Sequence, residues 1–192
     1  MKLTTKRMTH GIKIVTLLCL LTSAMTASAK DVNIDGKNLT YLGEGLREFL
    51  FIDIYKLGAY SESGACKPTD IIYKDETKMM KLKMIRAIPI DRLKSNLKST
   101  FEDNLPTKGD VEGLKKKIDS FLAMFKKDLS AGTEVDIVYS PGKGTRIRTN
   151  GKALGSATPG KDFSELVWRS YFGSKTCCKS LKSDIISACK KK

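Results

Sequence analysis

The stretch that decides the fold reads Gly43-Glu44-Gly45-Leu46-Arg47-Glu48-Phe49-Leu50-Phe51-Ile52-Asp53-Ile54-Tyr55-Lys56-Leu57-Gly58-Ala59-Tyr60. Two glycines one residue apart punctuate the entry to a long apolar run. The aromatic and β-branched content from Phe49 to Tyr55 favours a buried strand. Side chains alternate across a strand, so one strand continuing from Arg47 puts Arg47, Phe49, Phe51, Asp53 and Tyr55 on one face. Leu50, Ile52, Ile54 and Tyr60 then share the other. A cation and a tyrosine among apolar side chains would suit an amphiphile with an acidic head. The alternative is that Arg47 ends the strand and reaches water.

On the amino-terminal side, Val32, Ile34, Leu39 and Tyr41 flank Asp35-Gly36, the signature of a short β-hairpin. On the carboxy-terminal side a loop, residues 61–70, precedes a second strand over residues 79–88. There Met80, Leu82, Met84, Arg86 and Ile88 alternate with Lys81 and Lys83, so Arg86 is expected on the apolar face. A buried guanidinium needs an anionic partner. Asp53 or another internal acid could serve, or a ligand carboxylate held by the planar fork. Two helical stripes follow: Ile90, Leu93, Leu97, Phe101 and Leu105, with Asp91 as cap, then Val111, Leu114, Ile118, Phe121, Leu122, Phe125 and Leu129. Glu134 to Ser140 and Thr145 to Thr149 read as a hairpin closed by Pro141-Gly142-Lys143-Gly144. Asp162 and Glu165 resemble a capping box for a helix through Tyr171, and a last helix spans residues 180–189. No repeat or linker interrupts this pattern, which describes one α+β domain.

The chain begins with Lys2, Lys6, Arg7 and Lys13 and no acid. An apolar run over residues 14–21 and the small residues Ala27-Ser28-Ala29 follow. This predicts a removable secretory signal, residues 1–29, cleaved after Ala29, with a domain over residues 30–192 exported to the periplasm. Removing it takes four cations, so the formal charge falls from +14 to +10. It also takes His10, the chain's one histidine, which excludes Ser-His-Asp and Cys-His catalysis and His-ligated metals in the mature form. No cofactor is expected. The positive charge is read first as a solvated lysine-rich surface, second as a surface for anionic membrane, and not as a nucleic-acid site, since no binding motif accompanies it. Four cysteines remain, Cys66, Cys177, Cys178 and Cys189. An even number in an exported chain suggests two disulfides. Neighbouring cysteines rarely bond each other. The expected pairing therefore joins Cys66 to one of Cys177 and Cys178, and Cys189 to the other.

No G-x-S-x-G, Walker or dinucleotide-binding pattern is present. The run Gly43-Glu44-Gly45-Leu46-Arg47 leading to Ile54-Tyr55-Lys56-Leu57-Gly58-Ala59-Tyr60 resembles the chalcone isomerase superfamily, most of all its bacterial exported chalcone isomerase-like members. The order of elements is similar over nearly all of the mature chain, through Tyr139-Ser140-Pro141-Gly142 and Asp162-Phe163 to Tyr171-Phe172-Gly173. The resemblance implies an open-faced β-sandwich, a large antiparallel sheet with a helical layer on one face and a ligand cleft between them. It implies either a non-catalytic binder of a fatty acid or similar apolar carboxylate, or an isomerase acting as an intramolecular lyase on an enone. Arg47 matches the isomerases' strand arginine. Tyr55 stands where they carry threonine, and Pro89 or Ile90 near their helix tyrosine, so both departures speak against catalysis. For fatty-acid binding the resemblance implies Arg86 as the carboxylate-holding arginine, with Tyr139 and Tyr55 as candidate tyrosines and Arg47 in support. Met80, Met84, Phe49 and Phe51 are expected around the tail.

Overall fold

The computed structural model describes residues 31–191. The expected signal segment, residues 1–29, lies outside them. The strands are β1 (Val32–Ile34), β2 (Lys37–Phe49), β3 (Ile52–Ser61), β4 (Lys78–Met84), β5 (Glu134–Ser140), β6 (Gly144–Thr149) and β7 (Lys152–Ala153). The helices are α1 (Pro68–Tyr73), α2 (Ile90–Asp103), α3 (Val111–Ala123), α4 (Lys161–Phe172) and α5 (Lys179–Lys190). The strands form one 7-stranded antiparallel sheet in chain order. The helices cover one face, giving the α+β open-faced architecture.

Strand alternation sorts the two faces. Met80, Leu82 and Met84 join Val135, Ile137 and Ile147 in the main core beneath the helices. Met79, Val138, Tyr41 and Tyr60 make a smaller cluster on the opposite face with Ile34 and Leu39. Helix α4 is the centre of the helical layer; Phe163, Leu166, Val167, Trp168, Tyr171 and Phe172 are all buried along it. Helix α5 lies on β2, where a Cβ on Gly43 would fall 2.8 Å from the carbonyl oxygen of Ile185. The Gly43-Glu44-Gly45 motif is thus a seat for a helix.

The structure differs from the sequence reading in several places. The run from Phe49 to Tyr60 is not one strand; the chain reverses at Leu50 and Phe51, and Phe49 pairs with Ile52. Phe49 and Phe51 therefore point away from the core and are exposed. Strand β4 stops at Met84, and Arg86 follows in an exposed bend instead of the apolar face. Asp91 does not cap α2; the backbone N–H of Ile90 donates to Asp128 Oδ1 at 2.8 Å. Asp162 does not cap α4, whose N-cap position is Gly160; it pairs with Lys117 on α3. Part of the expected loop is α1, whose carboxy-terminal carbonyls are held by the buried Lys78. Its Nζ donates to Ile71 O at 2.9 Å and Ile72 O at 2.8 Å.

The cysteines also pair differently. Cys66, ahead of α1, is joined to Cys189 at the end of α5, with Cα atoms 5.6 Å apart. Cys177 is joined to its neighbour Cys178. The sheet brings the residue 66 loop and the end of α5 together, a proximity that linear spacing does not show.

Candidate functional site

The antiparallel register sets Arg47 on β2 directly opposite Tyr55 on β3. Cross-strand partners share a face, and here it is the face turned to the helices. Arg47 is half-buried, and its Nη1 donates to the carbonyl oxygen of Cys177 at 2.9 Å. The Tyr55 hydroxyl lies 4.0 Å from Cys178 Sγ, and the Tyr171 phenol of α4 is near enough to shift its pKa. Two strands, α4 and the segment leading into α5 thus converge on one cluster.

Burial pushes the Tyr55 phenol well above its ordinary value, and Tyr171 adds to the shift; Arg47 opposes it. Tyr171 is raised by burial, with Tyr55 and Arg47 pulling the other way. Both phenols are therefore neutral across the physiological range. Arg47 supplies the cluster's positive charge, and among the described residues it has no carboxylate within ion-pair distance. A half-buried guanidinium beside two phenolic hydroxyls is equipped to accept a planar anion by charge-assisted hydrogen bonds. No group in the cluster is placed to act as a base at neutral pH. Met84 stands opposite Tyr55 across β3 and β4, and Met80 lies four residues behind it on the same face, both buried. Ile90, Leu93 and Leu97 of α2 are only partly buried against the same core.

Of the four residues singled out from sequence, the structure brings together Arg47 and Tyr55. Arg86 is exposed past the end of β4 and does not face the cluster. Tyr139 is buried farther along the sheet, where its hydroxyl donates to Asp75 at 2.6 Å and Lys78 lies 5.8 Å from its ring. Tyr171 and the Cys177-Cys178 pair were not singled out as ligand-facing. Tyr171 sits in an apolar stripe that reads as core, and only packing shows its phenol near Tyr55.

A second polar group lies on the opposite face. Arg146 pairs with Asp35, and Arg148 pairs with Asp136 at 3.1 Å. They border a recess of about 250 Å³ lined also by Ile34 and Val138. Each arginine there already has its carboxylate, so the group is built as a structural ion pair. Among the described residues no group of three or more His, Cys, Asp or Glu could hold a metal. None of the helices described is long and apolar enough to cross a membrane.

A family model described as chalcone isomerase-like matches residues 22–187. A comparison with curated proteins finds no match. Among solved structures, the chain is similar to a fatty-acid binding protein of Arabidopsis thaliana, at 16% identity and a TM-score of 0.66. The match covers 83% of this chain and 98% of that one.

Proposed function

Since the chain belongs to the chalcone isomerase-like family, we propose that it is a non-catalytic binder of a fatty acid or other apolar carboxylate. The observation that carries this reading is Arg47 with its phenolic neighbours, half-buried Tyr55 and buried Tyr171, on the sheet face beneath the helices. Arg47 would hold the carboxylate, Tyr55 would donate a further hydrogen bond, and Met84, Met80 and the half-buried side chains of α2 would border the tail. The fold shared with a fatty-acid binding protein supports the class of ligand.

Native mass spectrometry of the protein after lipid extraction and titration with palmitate tests the reading. Micromolar binding is expected, weakened about 10- to 100-fold by Arg47→Gln, the loss of one charged hydrogen-bonding group. Absence of binding by the wild-type chain, or equal binding by a folded Arg47→Gln variant, would overturn it. So would loss of chalcone absorbance above the spontaneous rate that disappears in Arg47→Ala.

We also propose that this domain acts after export, with residues 1–29 removed. Amino-terminal sequencing of the protein recovered from the periplasm is expected to begin at Lys30; a chain retained in the cytoplasm with Met1 intact would refute that.

A further inference from the structure

The described residues expose six large apolar side chains: Phe49, Leu50, Phe51, Ile52, Tyr73 and Ile85. Five of the six meet at one place. Phe49 to Ile52 form the apex of the β2–β3 hairpin, and Ile85 is tied beside it by its N–H to Ile54 O at 2.9 Å. Phe51 is fully exposed and Leu50 is 73% exposed. The backbone adds a second observation. Leu50 and Phe51 both adopt left-handed φ, 49° and 64°. A two-residue hairpin turn of this kind is ordinarily made by Asn-Gly or Asp-Gly, because bulky side chains are strained there. Leucine and phenylalanine at these positions do not serve the turn. They serve what the turn displays.

Charge identifies the occupant. Below the apex, Arg47, Lys56, Lys83 and Arg86 outnumber Glu48 and Asp53, and Lys56 also lies 3.7 Å from Glu44. The whole chain carries +14, and +10 without residues 1–29. We infer that the hairpin apex, Phe49 to Ile52 with Ile85, seats in the interfacial region of a lipid bilayer that contains anionic lipid. A convex apolar apex with an excess of cations behind it suits a surface that needs no shape-matched groove. Arg47 lies three residues from Leu50, roughly 10 Å along the strand. With the apex in the acyl boundary, the Arg47–Tyr55 cluster stands near headgroup level, where a fatty acid presents its carboxylate. The docking surface itself does not depend on the ligand reading.

Vesicle co-sedimentation of the mature chain tests this, using phosphatidylcholine alone and an equal mixture of phosphatidylcholine and phosphatidylglycerol. Binding to the mixed vesicles is expected, and Leu50→Asp with Phe51→Asp should weaken it about tenfold or more by withdrawing the apolar area. Both sites are exposed, so the variant should keep its circular dichroism and its palmitate affinity. Lys83→Ala with Arg86→Ala should remove the preference for the anionic mixture, as should raised salt. Equal vesicle binding by wild type and the Leu50/Phe51 variant would overturn the inference. So would wild type that ignores vesicles, whether as a monomer or as a dimer that this variant separates, the mark of a second copy as occupant.

Discussion

Gly45 on β2 and Leu181 on α5 meet backbone to backbone: a Cβ on Gly45 would fall 2.7 Å from Leu181 Cα and closer still to its carbonyl oxygen. Neither partner can yield cheaply, because one is a strand hydrogen-bonded along β3 and the other a packed helix. Gly45→Ala is expected to destabilise the domain by about 1–3 kcal/mol through overpacking. Urea unfolding gives the measurement, and a midpoint equal to wild type would contradict the packing. Because α5 also leads back to Cys177, the variant should weaken palmitate binding along with stability.

The Cys66–Cys189 bridge spans a sequence separation of 123 residues. Closing a loop of that length removes much freedom from the unfolded chain, so replacing both cysteines by serine should cost about 2–5 kcal/mol. A non-reducing digest is expected to recover the Cys66 peptide linked to the Cys189 peptide. Recovery of Cys66 linked to the peptide carrying Cys177 and Cys178 would contradict the pairing.

Lys78 is buried against α1, with its Nζ 5.1 Å from the Trp168 ring. Burial lowers its pKa from 10.5 to about 8, although Glu76, Glu165 and Asp75 pull the other way. Between those two values the unfolded chain holds a proton that the folded chain has released. Stability contributed by this residue therefore rises with pH through the window from about 8 to 10.5, by linkage. Unfolding curves across the window should show a steeper rise for wild type than for Lys78→Met. Parallel slopes would show that the ammonium is not desolvated.

Asp35 makes the turn between β1 and β2, with φ of 54°, and its carboxylate reaches Arg146 and Ser140 Oγ on neighbouring parts of the sheet. The Arg146 guanidinium holds its pKa well below the usual carboxylate range, with Ser140 and Lys143 assisting against a smaller cost of burial. The folded pKa is depressed, so the stabilisation is complete above pH 3.8 and fades as pH falls below it. Asparagine tolerates the same backbone, so Asp35→Asn removes the charge and keeps the turn. A loss of about 1 kcal/mol at neutral pH, allowing for partial exposure of the pair, should shrink on acidification. A pH-independent difference would place the effect in the turn instead.

Much of the fold was legible because it rests on period. The alternation of Met80, Leu82 and Met84 with Lys81 and Lys83 gave the faces of β4, and the stripe Leu114, Ile118, Phe121, Leu122 gave the buried side of α3. The site was half legible. Arg47 and Tyr55 share a face under either reading, although the structure sets them side by side across two strands and the sequence suggested one strand eight residues long between them. Arg86 left the apolar face for a local reason: β4 ends at Met84, two residues before it, and side-chain alternation has no meaning beyond the last paired residue. Tyr139 lies apart from Arg47 and Tyr55, with its hydroxyl held by Asp75.

By itself, the sequence determined the α+β class, the order of the main elements from β4 to α5, the paired glycines as a motif, and a basic composition with one histidine, His10. These follow from local spacing and composition. Only the tertiary structure decided where the chain reverses at Leu50 and Phe51, which cysteines meet, and that Tyr171 completes the Arg47 cluster. Those outcomes depend on contacts between segments far apart in the chain, and a reversal made by two bulky residues carries no turn signature. Register and packing set them, at the cost of a strained apex that displays its apolar side chains to the outside.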